Sequence, residues 1–324
     1  MAEVGERAGV MVEADAAPSP PREGQTFGGD SLLARYASFV KLPHTLFALP
    51  FAGVGAILAS RTHPAAITIG ALGWIVLAFT AARFAAMGFN RIVDRTYDAL
   101  NPRTRQREIP SGRLSLRQAT LSVVVASVIF VFSAWQLNPL CGWLSLPALG
   151  WVFFYSYTKR FTSLAHVVLG VGLGIAPSGA YLAVTGEWST PWYALVVLTA
   201  AVTLWVAGFD IIYAVQDEAF DREQGLHSIP ARVGTRRALG IARLLHFLAV
   251  VLFFGIWVLD LFVVQWAYLG GVGLMAVLLH FAHASLRRPL EELDMRRIDR
   301  AFFHTNVGVS TGFLVLTLID RLVF

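Results

Sequence analysis

Two short runs of acidic and polar residues interrupt an otherwise apolar chain. The first is Asn90-Arg91-Ile92-Val93-Asp94-Arg95-Thr96-Tyr97-Asp98, in which Asn90, Asp94 and Asp98 recur every four residues. That spacing puts three oxygen-bearing side chains on one face of a helix. The second runs from Asp210 to Asp221, with Asp210, Tyr213, Asp217 and Asp221 again on one helical face. Opposed to each other, the two faces would crowd four or more carboxylates into one pocket, where like charges repel unless cations lie between them. Hard divalent cations suit all-oxygen donors, Mg²⁺ above all, because Mg²⁺ binds through one or two carboxylates and substrate phosphates. The surrounding arginines and Lys159 would meet the remaining phosphate charge. The chemistry expected is therefore metal-assisted handling of a diphosphate. The plainer alternative is that these carboxylates only pair with loop arginines at helix ends. Two matching clusters argue against it, as does Arg83, which shares the face of Asn90 yet lies inside an apolar run. An arginine there costs at least ~2.5 kcal/mol on insertion scales unless it faces a polar cavity.

The elements that carry these clusters are membrane helices. Apolar residues make up 56% of the 324 residues, charged residues only 15%, and the mean hydropathy is +0.60, whereas soluble domains hold about 25% charged residues. The apolar residues gather into nine candidate spans, near 42–60, 66–89, 118–136, 140–158, 164–185, 191–213, 238–259, 263–284 and 304–324. Each is long enough to cross a hydrocarbon core of about 30 Å as a helix. The runs are continuous rather than alternating, which excludes a β-barrel.

Basic residues set the expected orientation. Segment 91–117 carries seven arginines, 214–243 five and 285–303 five, and Lys159 and Arg160 sit between the fourth and fifth spans. The alternate loops hold little more than Arg61. Positive loops stay in the cytoplasm, so the N-terminus and both acidic clusters are expected inside and Phe324 outside, in a cell inner membrane. The net charge of +5 is then a topology signal. Nucleic acid is not an expected partner, because no basic–aromatic binding module accompanies the charge. A weak parallel repeat, Ile109-Pro110-Ser111 against Ile229-Pro230-Ala231, follows each cluster. Repeats of this kind place sites at their interface.

Residues 1–30 have no apolar run and several prolines and glycines, and are expected to form a disordered tail before a single membrane domain at 31–324. Cys141 reads as a small core residue. His44, His166 and His246 lack metal-ligand spacing and read as core or interface histidines, whereas His227 belongs to the second basic loop. Trp143, Trp188, Trp192 and Trp257 fall near span ends, as an interfacial belt would. Gly170, Gly172 and Gly174 would let the fifth span pack closely.

The NxxxDxxxD and DxxYxxxDxxxD pair resembles the UbiA family of intramembrane aromatic prenyltransferases. Flanking text agrees: Asp98-Ala99-Leu100-Asn101-Pro102-Arg103-Thr104, Tyr155-Ser156-Tyr157-Thr158-Lys159-Arg160, His227-Ser228-Ile229-Pro230-Ala231-Arg232 and the opening Lys41-Leu42-Pro43-His44. The resemblance covers residues 35 to 324. It is nearest the 4-hydroxybenzoate polyprenyltransferases and the related futalosine-route menaquinone enzymes. It implies an all-α bundle of about nine transmembrane helices around a central cavity with a cytoplasmic cap. It also implies Asn90, Asp94, Asp98, Asp217 and Asp221 as Mg²⁺–diphosphate ligands. Lys41, Arg83, Asn90, Lys159 and Tyr213 match substrate-binding positions, and Asp210, Lys159 and Arg83 are the candidate catalytic groups.

The expected reaction is transfer of a polyprenyl chain from polyprenyl diphosphate to a ring carbon of an aromatic acid. The acceptor is of the 4-hydroxybenzoate type or is 1,4-dihydroxy-6-naphthoate, in ubiquinone or menaquinone synthesis. Family members acting on haem, chlorophyll or tocopherol precursors are the nearer alternative, and their flanking loops should differ. A cation-coupled anion transporter is the remoter one. It predicts midplane charges and inverted repeats, against clusters at one face and a parallel repeat.

Overall fold

The computed structural model describes residues 31–287 and 295–324; the expected N-terminal tail lies outside them, as does part of the basic segment 285–303. Among the described residues, nine long helices occur together with several short ones. The long helices are α2 (Leu42–Ala59), α3 (Ile69–Val93), α5 (Leu116–Leu137), α6 (Pro139–Thr158), α7 (Ala165–Thr185), α8 (Tyr193–Ala214), α11 (Thr235–Val258), α12 (Trp266–Ser285) and α13 (Met295–Val323). The short ones are α1 (Leu32–Phe39), α4 (Arg95–Leu100), α9 (Glu218–Glu223) and α10 (Ile229–Val233). No strand occurs among the described residues.

Each expected span coincides with one long helix. Among the described residues, seven segments are long and apolar enough to cross a membrane, Tyr193–Glu223 and Phe303–Val323 being two of them. The other two long helices are α2, in which Ala48–Ala59 is the apolar stretch among the residues whose side chains are described, and α6, diluted by Trp143, Ser145, Trp151 and Tyr155. α13 begins some nine residues earlier than the apolar run, because its first turns, Met295-Arg296-Arg297-Ile298-Asp299-Arg300, are helical but polar.

Burial separates a centre from a rim. In α8, 61% of the apolar window is buried, against 22% in α5. Leu121, Val124, Val125, Val128 and Phe132 of α5 face outward. Such a row is stable only against lipid tails, so the chain is a multi-pass membrane protein. Exposed Trp143, Trp188 and Trp192 match the expected belt.

The α7–α8 contact sets the site's geometry. A Cβ added at Gly170 would lie 2.5 Å from the Thr203 carbonyl oxygen, and one at Gly174 would lie 2.6 Å from that of Thr199. Only glycine permits that approach. One turn further along α7, the Ser178 hydroxyl lies 2.7 Å from that of Thr199. The antiparallel register set by these pairs carries His166, one turn before Gly170, to Asp210 on α8.

At the opposite end of the bundle, α13 ties the end of α2 to the start of α12. Asp320, 2% exposed, accepts the backbone N–H groups of Gln265 at 2.9 Å and Tyr268 at 3.0 Å, capping α12 from another helix. Arg61 donates to the Asp320 carbonyl at 3.0 Å, and Arg321 to the Ser60 hydroxyl at 2.8 Å.

Candidate active site

Both acidic motifs lie where a long helix bends. α3 ends at Val93, and Asp94 joins it to α4 with φ −88° and ψ 4°. The helical hydrogen bonds still continue through the bend, from Asp94 N–H to Asn90 at 2.9 Å and from Asp98 N–H to Asp94 at 2.8 Å. α8 passes through a tighter 3₁₀ turn at Val215–Asp217 before α9. The expectation of two straight faces is corrected accordingly. Each motif is a bent face, with its last carboxylate on a short helix.

All the motif residues nonetheless line one cavity: Asn90, Asp94 and Asp98 from one side, Asp210, Tyr213, Asp217 and Asp221 from the other. Lys41, Arg83 and Lys159 line it too, as do Arg91, Arg103, Arg107, Tyr155 and Arg160. Its inner part is apolar, with Phe51, Leu169, Leu173, Val202, Trp205 and Val206. The cavity is polar at the motif end and greasy below it.

Within it every carboxylate is matched to a partner. Arg103 grips Asp217 through both guanidinium arms, with Nε donating to Oδ1 at 2.9 Å, and Asn101 donates to the same Oδ1 at 3.0 Å. Arg107 donates to Asp98 at 2.6 Å, and Arg91 lies 3.9 Å from its other oxygen. Lys159 lies 3.5 Å from Asp221. Arg160 lies 3.8 Å from Asp94, to which Asn90 donates at 2.8 Å. Asp210 pairs with His166 at 2.6 Å. Among the described residues no three His, Cys, Asp or Glu side chains converge on one point. Like charges are kept apart by interleaved cations, which is the electrostatic requirement met by the protein's own groups.

Three groups at the mouth of the cavity show what this does to protonation. Burial, reinforced by Asp98, raises the Asp94 carboxyl to about 6, against the pull of Lys159 and Arg160. Burial by itself would lower the Lys159 ammonium, but Asp221, Asp217, Asp210 and Asp94 outweigh it and hold Lys159 above the ordinary lysine value. Lys41 is lowered by burial and by Arg107, Arg91 and Arg103, with Tyr213 pulling the other way.

Lys41 reaches the cavity through an unusual backbone. Between α1 and α2 it adopts φ 47° and ψ 58°, left-handed for a non-glycine residue. The turn delivers its ammonium to the Tyr213 oxygen at 3.1 Å, which also accepts from Arg103 at 3.1 Å. Arg83 lines the cavity as expected, with its Nε buried and lacking a hydrogen-bond partner.

The donor set suits a hard divalent cation. It is all oxygen, apart from the neighbouring amide of Asn90, and two of those oxygens, Asp98 Oδ2 and Asp221 Oδ2, are buried without a hydrogen-bond partner. Sequence reasoning missed Arg103, Arg107, Asn101, Tyr155 and His166. For Arg103 and Arg107 a signal existed in the basic text five and nine residues after Asp98. His166 had none, because its partner is 44 residues away.

Known proteins share this architecture. The apo structure of a UbiA homologue from Aeropyrum pernix K1 superposes with a TM-score of 0.76 at 33% identity, over 86% of this chain and 98% of that one. A homologue from Archaeoglobus fulgidus bound to GPP and Mg²⁺ has the same fold, with a TM-score of 0.66 at 18% identity over 89% and 99% of the chains. By sequence, the chain is 33% identical to a 4-hydroxybenzoate octaprenyltransferase of Idiomarina loihiensis, over 74% of this chain and 78% of that protein. It is 30% identical to the enzyme of that name from Aromatoleum aromaticum, over 80% and 82%. With its residues 48–307 matching the family model, the chain belongs to the UbiA prenyltransferase family.

Proposed function

We propose that this protein transfers a polyprenyl chain from polyprenyl diphosphate to a ring carbon of an aromatic acid in quinone biosynthesis. The observation that carries this is the convergence of both acidic motifs and seven basic side chains on one cavity whose inner half is apolar. A diphosphate suits the polar end and a prenyl chain the greasy end. The activity for which the relatives are named, 4-hydroxybenzoate octaprenyl transfer, supports an acceptor of the 4-hydroxybenzoate type. Residues 31–324 then act as one membrane domain in a cell inner membrane. The basic loops and the site face the cytoplasm and the C-terminus faces outward. The loop after α4 and the segment α9–α10 cap the cavity.

Asn90, Asp94, Asp98, Asp217 and Asp221 are the residues that would hold Mg²⁺. When bound, that ion supplies the positive charge that lets a diphosphate leave. The protein's own groups do the rest. Arg103, Arg107 and Lys159 now rest on Asp217, Asp98 and Asp221. Released from those carboxylates, they turn to phosphate oxygens, with Lys41 and Arg83 alongside. The allylic C–O bond breaks and its electron pair leaves with the diphosphate. The ring carbon ortho to the acceptor's hydroxyl donates a π pair to form the new C–C bond, and its proton passes to Asp210, restoring aromaticity. Leu169, Leu173, Val202 and Val206 exclude water that would otherwise capture the allylic cation.

The test is an assay of purified membranes with labelled polyprenyl diphosphate, Mg²⁺ and either 4-hydroxybenzoate or 1,4-dihydroxy-6-naphthoate. Product formed with one acceptor, and lost with EDTA and in Asp94→Asn, supports the proposal and names the acceptor. An Asp94→Asn protein as active as wild type would sink it.

A further inference from the structure

His166 is completely buried at the start of α7, and both ring nitrogens are engaged. Nδ1 lies 2.6 Å from Asp210 Oδ2. Nε2 lies 3.2 Å from the backbone N–H of Ile229, the first residue of α10. A backbone N–H can be accepted only by an unprotonated ring nitrogen, so Nε2 is bare and Nδ1 carries the proton. The imidazole is thereby fixed as one neutral tautomer that donates to Asp210. Asp210 itself is 22% exposed and lines the cavity. One of its oxygens is pinned from behind, and the other is left to the cavity above Leu169, Leu173, Val202 and Val206.

The same imidazole tethers the segment after the second acidic motif. His227 N–H donates to the Lys159 carbonyl at 2.6 Å, and Ile229 N–H donates to His166 two residues later. The α7–α8 glycine contact holds the two helices at the separation this pairing needs. His166 therefore has three fixed neighbours: the α8 carboxylate, the α10 backbone and the close-packed α7–α8 seam.

We propose that His166 is a positioning residue that aims Asp210 at the aromatic acceptor, so that the ring proton released after C–C bond formation has a correctly oriented carboxylate to receive it. This rests on the prenyl-transfer function proposed above. His166 does not touch substrate. It acts by holding Asp210 Oδ2, which leaves Oδ1 to take the proton, and the electron pair of the broken C–H bond returns to the ring. Because Nε2 is occupied, His166 does not relay the proton onward.

The experiment compares wild type with His166→Ala, His166→Asn and His166→Gln, using the full chain in membranes and both normal and ring-deuterated acceptor. The Asn amide can occupy the position of Nδ1 and donate as it does, whereas the Gln amide lies where Nε2 is and does not. The expected result for His166→Ala is a kcat lower by about 10–100-fold, less than the 10²–10⁴ of removing a base outright. Its KM for prenyl diphosphate stays within about twofold, and its deuterium isotope effect is larger than that of wild type. His166→Asn should recover most of the lost kcat and His166→Gln should not. Should His166→Ala fail to fold, the Asn–Gln contrast decides by itself.

Wild-type kcat and isotope effect in His166→Ala, or equal activity of the Asn and Gln variants, would overturn the proposal while leaving prenyl transfer intact. A raised KM for prenyl diphosphate with unchanged kcat would do the same, by assigning His166 to the donor side. No Mg²⁺-dependent product from the wild type with either acceptor would instead overturn the function on which the proposal rests, and the proposal with it.

Discussion

Arg103, in the loop that follows the first acidic motif, holds Asp217 of the second through two guanidinium nitrogens while also donating to Tyr213. One side chain thus fastens the two halves of the site together. Both members of the ion pair are largely buried, at 15% and 12% exposure. Removing one leaves an uncompensated charge. Arg103→Ala is expected to lower the stability of the metal-free protein by about 3 kcal/mol. Adding Mg²⁺ should restore more stability to this variant than to wild type, because the ion takes over the charge that Arg103 balanced. Thermal unfolding in detergent with and without Mg²⁺ measures both. An unchanged midpoint in Arg103→Ala would contradict the pairing.

Asp94 should trade stability for function. Its folded-state pKa is raised to about 6 from 3.8. The stability it contributes is therefore fully present below 3.8 and lost as the pH rises through about 6. At pH 7 the ionised carboxylate weighs against the folded, metal-free protein by about 1–3 kcal/mol. Asp94→Asn is expected to raise the unfolding midpoint in EDTA at pH 7, to bring little change at pH 4, and to abolish prenyl transfer. A variant less stable than wild type at pH 7 would refute the account.

The α7–α8 seam gives a packing prediction with an internal control. Gly174→Val must displace the Thr199 carbonyl, which an added Cβ would approach to 2.6 Å. Overpacking of this kind costs about 1–3 kcal/mol and shifts His166 relative to Asp210. Gly150→Ala on α6, where an added Cβ meets nothing within 4 Å, should leave midpoint and activity unchanged. Comparable losses in both variants would remove the special role assigned to the seam.

Asp320 separates structure from catalysis. It lies outside the cavity and caps α12 with two backbone hydrogen bonds. Asp320→Ala is expected to lower the unfolding midpoint, by an amount on the order of 2–3 kcal/mol for an unpaired buried helix terminus and arginine. The protein that remains folded should keep wild-type KM for both substrates. A selective loss of kcat at unchanged midpoint would argue against the assignment.

The parts of this molecule legible in its sequence are those written in local periodicity. The apolar runs gave all nine long helices, since each must satisfy its backbone hydrogen bonds within one segment. The four-residue spacing of Asn90, Asp94 and Asp98 gave the first face of the cavity, and the recurrence at Asp210, Asp217 and Asp221 gave the second. The bends at Asp94 and Val215–Asp217 were not legible, because no proline or glycine marks them. The grip of Arg103 and Arg107 on the motif carboxylates was hidden for another reason. A loop arginine within an inside-positive segment reads as a topology signal until its position in space is known. His166 was read as a core histidine and is fully buried, but its role depends on Asp210 and Ile229, neither of which is near it in the chain.

The link from Arg61 and Ser60 to Asp320 and Arg321 spans 259 to 261 residues. A ribosome adding about 5–20 residues per second therefore finishes α2 roughly 13–50 s before its partner on α13 exists. Throughout that interval the face of α2 that will wall the cavity must be sheltered by lipid or by an insertion factor. Helix α2, whose Ala48 and Phe51 line the cavity, is thus fastened late in synthesis to α13, whose Asn306 lines it too, and a partly made chain lacks the last wall of the site.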